Sequence, residues 1–178
     1  GDHLGQMANG FRWPYGSVAI ISPFNFPLEI PLLQLMGALF MGNKPLLKVD
    51  SRVSLVMDTI IKLMHANGLP EEDVDIIHCD GETMQTLLVN SQLRMTQFTG
   101  SSKVADLLSK QLNGKIRIEG GGFDWKIIGN YKGLNHETVC KVCTKDAYSF
   151  SGQKCSAQSM VFLHDSWDVN RFRERLKE

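Results

Sequence analysis

What this sequence has little of narrows it first. Its 178 residues carry 19 Lys and Arg against 19 Asp and Glu, so the formal net charge is zero at pH 7. With no basic surplus, neither a nucleic acid nor an anionic membrane surface is an expected partner. Cysteine is scarce: Cys79, Cys140, Cys143 and Cys155 are too few for a disulfide-stapled scaffold, and without a signal peptide they indicate a reducing compartment. No apolar run is long enough to span a bilayer; the longest, Ile30–Met41, is interrupted by Gln34 and reads as a buried helix. No Gly-x-Gly-x-x-Gly follows the first strand and no Gly-x-x-x-x-Gly-Lys-Ser/Thr occurs, which argues against an ordinary Rossmann dehydrogenase and a P-loop nucleotidase. Cys140-x-x-Cys143 has no second pair, and the histidines are scattered. That spacing stays open between half a metal or redox site and two helix-borne thiols one turn apart. No metal is expected.

The apolar residues that remain are well patterned. Hydrophobic and charged contents of 43% and 21% suit a globular chain long enough for one domain with a sizeable core. Ser17–Ser22 is a continuous apolar run, the mark of a strand covered on both faces. Leu32, Leu33, Leu35, Met36, Leu39 and Phe40 then give a helix apolar nearly all round and therefore expected to be buried. Further strands are expected at Pro45–Val49, Val74–Ile77, Arg94–Phe98 and Lys115–Ile118. Helical spacing links them through Val53–Met64, Thr83–Val89 and Ser102–Leu112, the last with Val104, Leu107, Leu108 and Leu112 on one face. Five strands alternating with four helices predict an α/β fold: a doubly wound, parallel, five-stranded Rossmann-like sheet with right-handed crossovers over residues 1–120. Residues 121–178 change pattern, with a strand at Lys126–Ile128, a helix near Asn135–Tyr148 and a strand at Ser159–Leu163. They read as the start of a second, catalytic α/β lobe. The chain opens on Gly1-Asp2 without a methionine and stops in an unfinished helix bearing Val169, Phe172 and Leu176, so a piece of a larger protein is expected.

In an open parallel sheet ligands bind at the carboxyl ends of the strands, and polar residues collect there. Asn25 lies in Ser22-Pro23-Phe24-Asn25-Phe26-Pro27, where two prolines stiffen the loop; its amide either faces a developing oxyanion or serves a turn. Lys48 ends the second strand and either donates to a ribose or phosphate or is simply solvated. Thr99-Gly100-Ser101-Ser102 joins a strand to a helix, a place for a pyrophosphate or for plain N-capping by Ser101 or Ser102. Glu119 closes a strand before Gly120-Gly121-Gly122 and suits a general base acting on water, or is an exposed strand-end carboxylate. Beyond the sheet, Ser151-Gly152-Gln153-Lys154-Cys155-Ser156-Ala157 sets one thiol among small polar residues with a lysine beside it. Cys155 is either a nucleophile or a buried thiol.

Taken in order, Pro23-Phe24-Asn25-Phe26-Pro27, Gly42-Asn43-Lys44 through Lys48, Phe98-Thr99-Gly100-Ser101, Glu119 with its glycines, and Gly152-Gln153-x-Cys155 resemble the aldehyde dehydrogenase superfamily across essentially the whole chain. Leu28-Glu29-Ile30-Pro31, Gly122-Phe123-Asp124-Trp125-Lys126 and the cysteine segment are similar, within it, to the delta-1-pyrroline-5-carboxylate dehydrogenases of plants and some protists. The resemblance implies oxidation of a small aldehyde, glutamate semialdehyde in the narrower family, to its acid in proline catabolism. Cys155 would be the nucleophile, Asn25 the oxyanion donor and Glu119 the base that hydrolyses the thioester. It also implies NAD, with NADP as the alternative, held along Ser22, Phe24, Lys48, Ser51, Thr99, Gly100, Ser101 and Gly120. Ser51 stands where many NAD-linked members carry a ribose-binding glutamate, and Gly120 and Phe123 replace the Leu and Lys of the family's Glu-Leu-Gly-Gly-Lys run. Phe150-Ser151 replaces an asparagine often seen before Gly-Gln. Other implications are a homo-oligomeric full-length protein, a mitochondrial matrix location in a eukaryote or a cytoplasmic one otherwise, and weak cofactor binding by these residues alone. A CoA-acylating relative and a non-catalytic module that keeps the fold are the competing readings.

Overall fold

A computed structural model of the chain describes residues 4–131, 133 and 135–177. It divides into two compact units, residues 1–119 and 120–178. In the first, strands β1 (Ser17–Ile21), β2 (Lys44–Lys48), β3 (Asp75–Ile76), β4 (Met95–Gly100) and β5 (Ile116–Gly120) form one parallel sheet in the order β3-β2-β1-β4-β5. β1 lies at its centre, with Ile21 beside Lys48 of β2 and beside Phe98 of β4. From β1 the chain steps outward to β2 and β3, then returns to the other side of β1 for β4 and β5. The strand order therefore reverses between β1 and β4, the topological switch point of a doubly wound sheet.

The connecting helices are α1 (Glu29–Phe40), α2 (Ser54–Ala66), α3 (Gly81–Asn90) and α4 (Ser102–Gln111). Successive β1 side chains serve opposite faces, as the period of a strand dictates. Ala19 joins Met84, Leu88, Phe98, Ala105, Leu108 and Ile116 under α3 and α4. Ile20 joins Leu35, Leu47, Val49, Met57, Ile61 and Val74 under α1 and α2. Both faces are thus covered, which is why β1 reads as an unbroken apolar run. Two expectations need correction. Helix α1 is not buried all round: Leu35 is fully enclosed, while Leu33 is 72% and Phe40 81% exposed, because a helix laid on a sheet covers it with only one face. In α4 the enclosed line is Ala105 and Leu108, while Val104 and Leu107 lie at the exposed margin of the apolar stripe.

The second unit is a βαβ motif. Strands β6 (Asp124–Ile128) and β7 (Gln158–Leu163) pair in parallel with a register shift at Asp124/Trp125, joined through α5 (His136–Tyr148); α6 (Val169–Arg175) follows. Its core holds Ile128, Cys140, Cys143, Trp167 and Phe172. Trp167 Nε1 donates to the Gly129 carbonyl at 3.2 Å, so the indole buries without orphaning its N–H. Asn135 caps α5 by accepting from the Thr138 N–H at 3.1 Å, and Lys126 pairs with Asp146.

One side chain fixes how the chain enters β1. Asn43 Oδ1 accepts from the N–H groups of Tyr15 at 2.7 Å and Gly16 at 3.2 Å, while its Nδ2 donates to the Ala38 carbonyl at 3.2 Å. Gly42, with φ of 74°, turns the chain at the end of α1 so that the Asn43 N–H also reaches Ala38. Replacing Asn43 with Ala removes all three side-chain bonds and should destabilise the first unit by about 2 kcal/mol. Urea unfolding checks this; a variant within ~0.5 kcal/mol of wild type would show the bonds to be idle.

Candidate active site

Because the sheet is parallel, the carboxyl ends of its strands share one edge, and most of the sequence-predicted residues sit there. Ser22 directly follows β1 and is 3% exposed; its N–H donates to the Lys48 carbonyl at 3.1 Å, which ties the end of β1 to the end of β2. Its hydroxyl is buried and makes no protein hydrogen bond among the described residues. Phe24 and Asn25 follow in the half-buried β1–α1 loop. Across the switch point, Thr99 and Gly100 belong to β4 itself, which runs two residues further than the sequence pattern suggests. The Thr99 hydroxyl accepts from Gln34 Nε2 at 2.8 Å, so α1 is pinned to β4 just beneath the rim. Gly100 has a packing reason to lack a side chain: a Cβ there would come within 2.7 Å of the buried Phe98 ring.

Ser101 occupies the N-cap position of α4 with extended backbone angles, yet its side chain makes no capping hydrogen bond. Plain N-capping by that hydroxyl therefore does not account for the residue. The first-turn N–H groups of a helix carry partial positive charge, and those of α4 lie beside Gly100, where no side chain intervenes. Glu119 is the fourth residue of β5 and is exposed; Gly120 closes that strand and begins the second unit. At Gly121 and Gly122 the space around the backbone is open.

On the other side of β1 the rim is charged. Lys48 ends β2, half-buried. Asp50 caps the short 3₁₀ turn Ser51–Val53 by accepting from the Arg52 N–H at 3.0 Å. The Arg52 guanidinium beside Asp50 holds its carboxyl down at about 2, with smaller help from Lys48. Asp80, the N-cap of α3, is likewise lowered, first by the Thr83 N–H and in smaller part by Lys48. Lys48 thus contributes a small part of the lowering at both carboxylates. Ser51 is exposed, and its carbonyl accepts from Ser54 Oγ at 3.3 Å.

Cys155 belongs to the second unit, half-buried, in a turn closed by the Ala157 N–H on the Lys154 carbonyl at 3.0 Å. The approach to that turn is strained. Phe150 and Ser151 have φ of 54° and 55°, followed by Gly152 at 71°. Two non-glycine residues in the left-handed region cost roughly 1–3 kcal/mol each, and such strain gathers at functional loops. Gly152 is needed: besides its φ, a Cβ would meet the Ala147 carbonyl oxygen at 3.2 Å. The other pair behaves differently. Cys140 and Cys143 face the core of α5, and burial pushes both thiols up. Among the described residues no group of three or more His, Cys, Asp or Glu is placed to hold a metal ion.

Three contributors escape a reading of the sequence: Gln34, Asn43 and the Asp50–Arg52 pair. Asp50 before a turn and helix is a capping signal that was legible in principle; the other two bond over long separations that no local pattern reveals. Burial separates Cys79 and Cys155, both half-buried, from the enclosed Cys140 and Cys143, and surroundings separate the first two, Cys155 lying in a turn of small polar residues. Iodoacetamide at neutral pH should alkylate Cys155 first, Cys79 more slowly because it packs against the first unit's core, and Cys140 and Cys143 only on unfolding. Peptide mass spectrometry over time reads the order; early labelling of Cys140 or Cys143 would contradict this placement.

The chain is 58% identical along its whole length to mitochondrial delta-1-pyrroline-5-carboxylate dehydrogenase 12A1 of Arabidopsis thaliana and spans 32% of that protein's length. It therefore covers about a third of the curated relatives it matches. A solved structure of proline utilization A from Bradyrhizobium japonicum, 27% identical, superposes with a TM-score of 0.84 over 92% of this chain and 17% of the other. An NAD-dependent aldehyde dehydrogenase from Sinorhizobium meliloti shares the fold, at 23% identity and a TM-score of 0.85 over 92% of this chain and 33% of the other. Residues 4–178 match the Aldehyde dehydrogenase family, and the chain belongs to that family.

Proposed function

We propose that the protein carrying this chain oxidises an aldehyde to a carboxylic acid through a thioester on Cys155. Its substrate is glutamate semialdehyde, the open form of pyrroline-5-carboxylate, and its product is glutamate. The observation that supports this most is that four strand ends of one parallel sheet carry an amide (Asn25), a cation (Lys48), an uncapped helix N-terminus (at Ser101) and a carboxylate (Glu119). The substrate is taken from the Arabidopsis relative's name and 58% identity, as is the mitochondrial location.

The rim's residues fit a nicotinamide dinucleotide. The buried Ser22 hydroxyl makes no protein hydrogen bond among the described residues, and the α4 N–H groups beside side-chain-free Gly100 suit a pyrophosphate. Lys48 and Ser51 would hold the adenosine ribose, and Phe24, Thr99 and Gly120 would add further contacts. When bound, the nicotinamide would supply the acceptor for the hydride lost from the aldehyde carbon.

The chain's own residues do the remainder. Cys155 Sγ, as thiolate, forms a bond to the carbonyl carbon, and the electron pair of the C=O moves onto oxygen. The Asn25 side-chain amide donates to that oxyanion. Loss of hydride leaves the acyl group on Sγ as a thioester. Glu119 then takes a proton from water as the water oxygen bonds to the acyl carbon, and the C–S bond breaks to return thiolate and release the acid.

Two variants of the full-length enzyme separate these steps. Cys155→Ala should abolish NADH formation. Glu119→Gln should release a burst of about one NADH per active chain and then turn over 10²- to 10⁴-fold more slowly, with the acyl group retained on Cys155. Wild-type turnover by Cys155→Ala would refute the nucleophile. Restoration of Glu119→Gln turnover by CoA, with an acyl-CoA product, would move the enzyme to the thiol-acylating class.

A further inference from the structure

Dinucleotide sites tell their two cofactors apart with a carboxylate that accepts from the ribose 2′-hydroxyl of NAD, or an arginine that takes the 2′-phosphate of NADP, placed after the second strand. This chain has both after β2, and they hold each other. Arg52 Nε donates to Asp50 Oδ1 at 2.9 Å and Nη2 to Oδ2 at 2.8 Å, a bidentate pair. The guanidinium also lies over the Phe24 ring, 4.2 Å from its centroid. It is therefore gripped edge-on by a carboxylate and face-on by an aromatic ring of the β1–α1 loop.

Building on the reading of this rim as a cofactor site, we propose that the Asp50–Arg52 pair is its cofactor discriminator. Closed, it favours the 2′-hydroxyl of NAD; opened, it delivers Arg52 to the 2′-phosphate of NADP. Bond counting supports the closed preference. Oδ1 already accepts twice, from the Arg52 N–H and Nε, whereas Oδ2 accepts once and retains a lone pair for a hydroxyl donor. A phosphate dianion has no proton to offer there and would meet a carboxylate ionised throughout the neutral range. The charge balance agrees. Arg52 and Asp50 pair one cation with one anion, a neutral couple suited to an uncharged ribose edge. Removing one acid leaves a net positive site with an arginine released. Ser51, between the pair in sequence, is small and exposed.

Equilibrium binding of NAD and NADP to the full-length wild type, Asp50→Asn, Arg52→Gln and the double variant tests this, with thermal melts confirming that each is folded. Wild type should prefer NAD at least tenfold. Asp50→Asn should shift the NADP-to-NAD affinity ratio at least tenfold toward NADP, and adding Arg52→Gln should erase that shift. An Asp50→Asn ratio within twofold of wild type, with NAD still bound, would overturn the discriminator while leaving the cofactor site intact. A shift that survives in the double variant would overturn the role of Arg52. Failure of the wild type to bind either cofactor would sink the reading of the rim itself, and the discriminator with it. Should Asp50→Asn not fold, Arg52→Gln alone decides: it should weaken NADP at least fivefold more than NAD, and an equal effect on both refutes the idea.

Discussion

A parallel sheet gives all its strands the same direction, and the rest of the first unit follows from that constraint. Each strand end delivers its next residue to one edge, and each crossover helix begins there with first-turn N–H groups that have no partner within the helix. The reversal of strand order between β1 and β4 keeps the following helices on opposite faces, so the loops at those two ends part. Ser22 and Gly100–Ser101 sit on either side of that parting. The two hydrophobic clusters that meet through Ala19 and Ile20 hold β1 in place, so the geometry of the rim rests on packing well away from it.

Hydrogen bonds then refine what the packing sets. Gln34 to Thr99 fastens α1 to β4, the Ser22 N–H fastens β1 to β2, and Arg52 spans from Asp50 to the Phe24 ring. Each joins an element bearing a candidate ligand contact to its neighbour. The β1–α1 loop that carries Asn25 is held by two prolines within it and by an arginine from beyond β2. In the second unit the economy differs: the cysteine turn is approached through two strained non-glycine residues, and the buried pair Cys140 and Cys143 anchors the helix before it.

Much of this was legible in the residues. The unbroken run from Val18 to Ile21 announced a strand covered on both faces, and alternation of such runs with helical spacing announced the doubly wound order. The same runs could not say how wide a buried stripe would be. Leu33, Phe40, Val104 and Leu107 are apolar yet exposed, since a helix buries one face and composition does not mark which. Of the rim residues, those following strands could be found by the strand-end rule, whereas Gln34 and Asn43 could not, because their partners lie 65 and up to 28 positions away. Ser101 showed the limit of type-based reading: a serine before a helix is expected to cap it, and here it does not.

The claim on which the account turns is that a dinucleotide lies across the carboxyl edge of this sheet at the β1/β4 reversal. Amide hydrogen exchange on the full-length protein, with and without saturating NAD, tests it most directly. Added protection should be concentrated at Ser22 and Phe24, at Lys48–Arg52 and at Ser101–Val104. Protection confined to the amino ends of the strands, or none at any of these three segments while NAD is demonstrably bound, would contradict it.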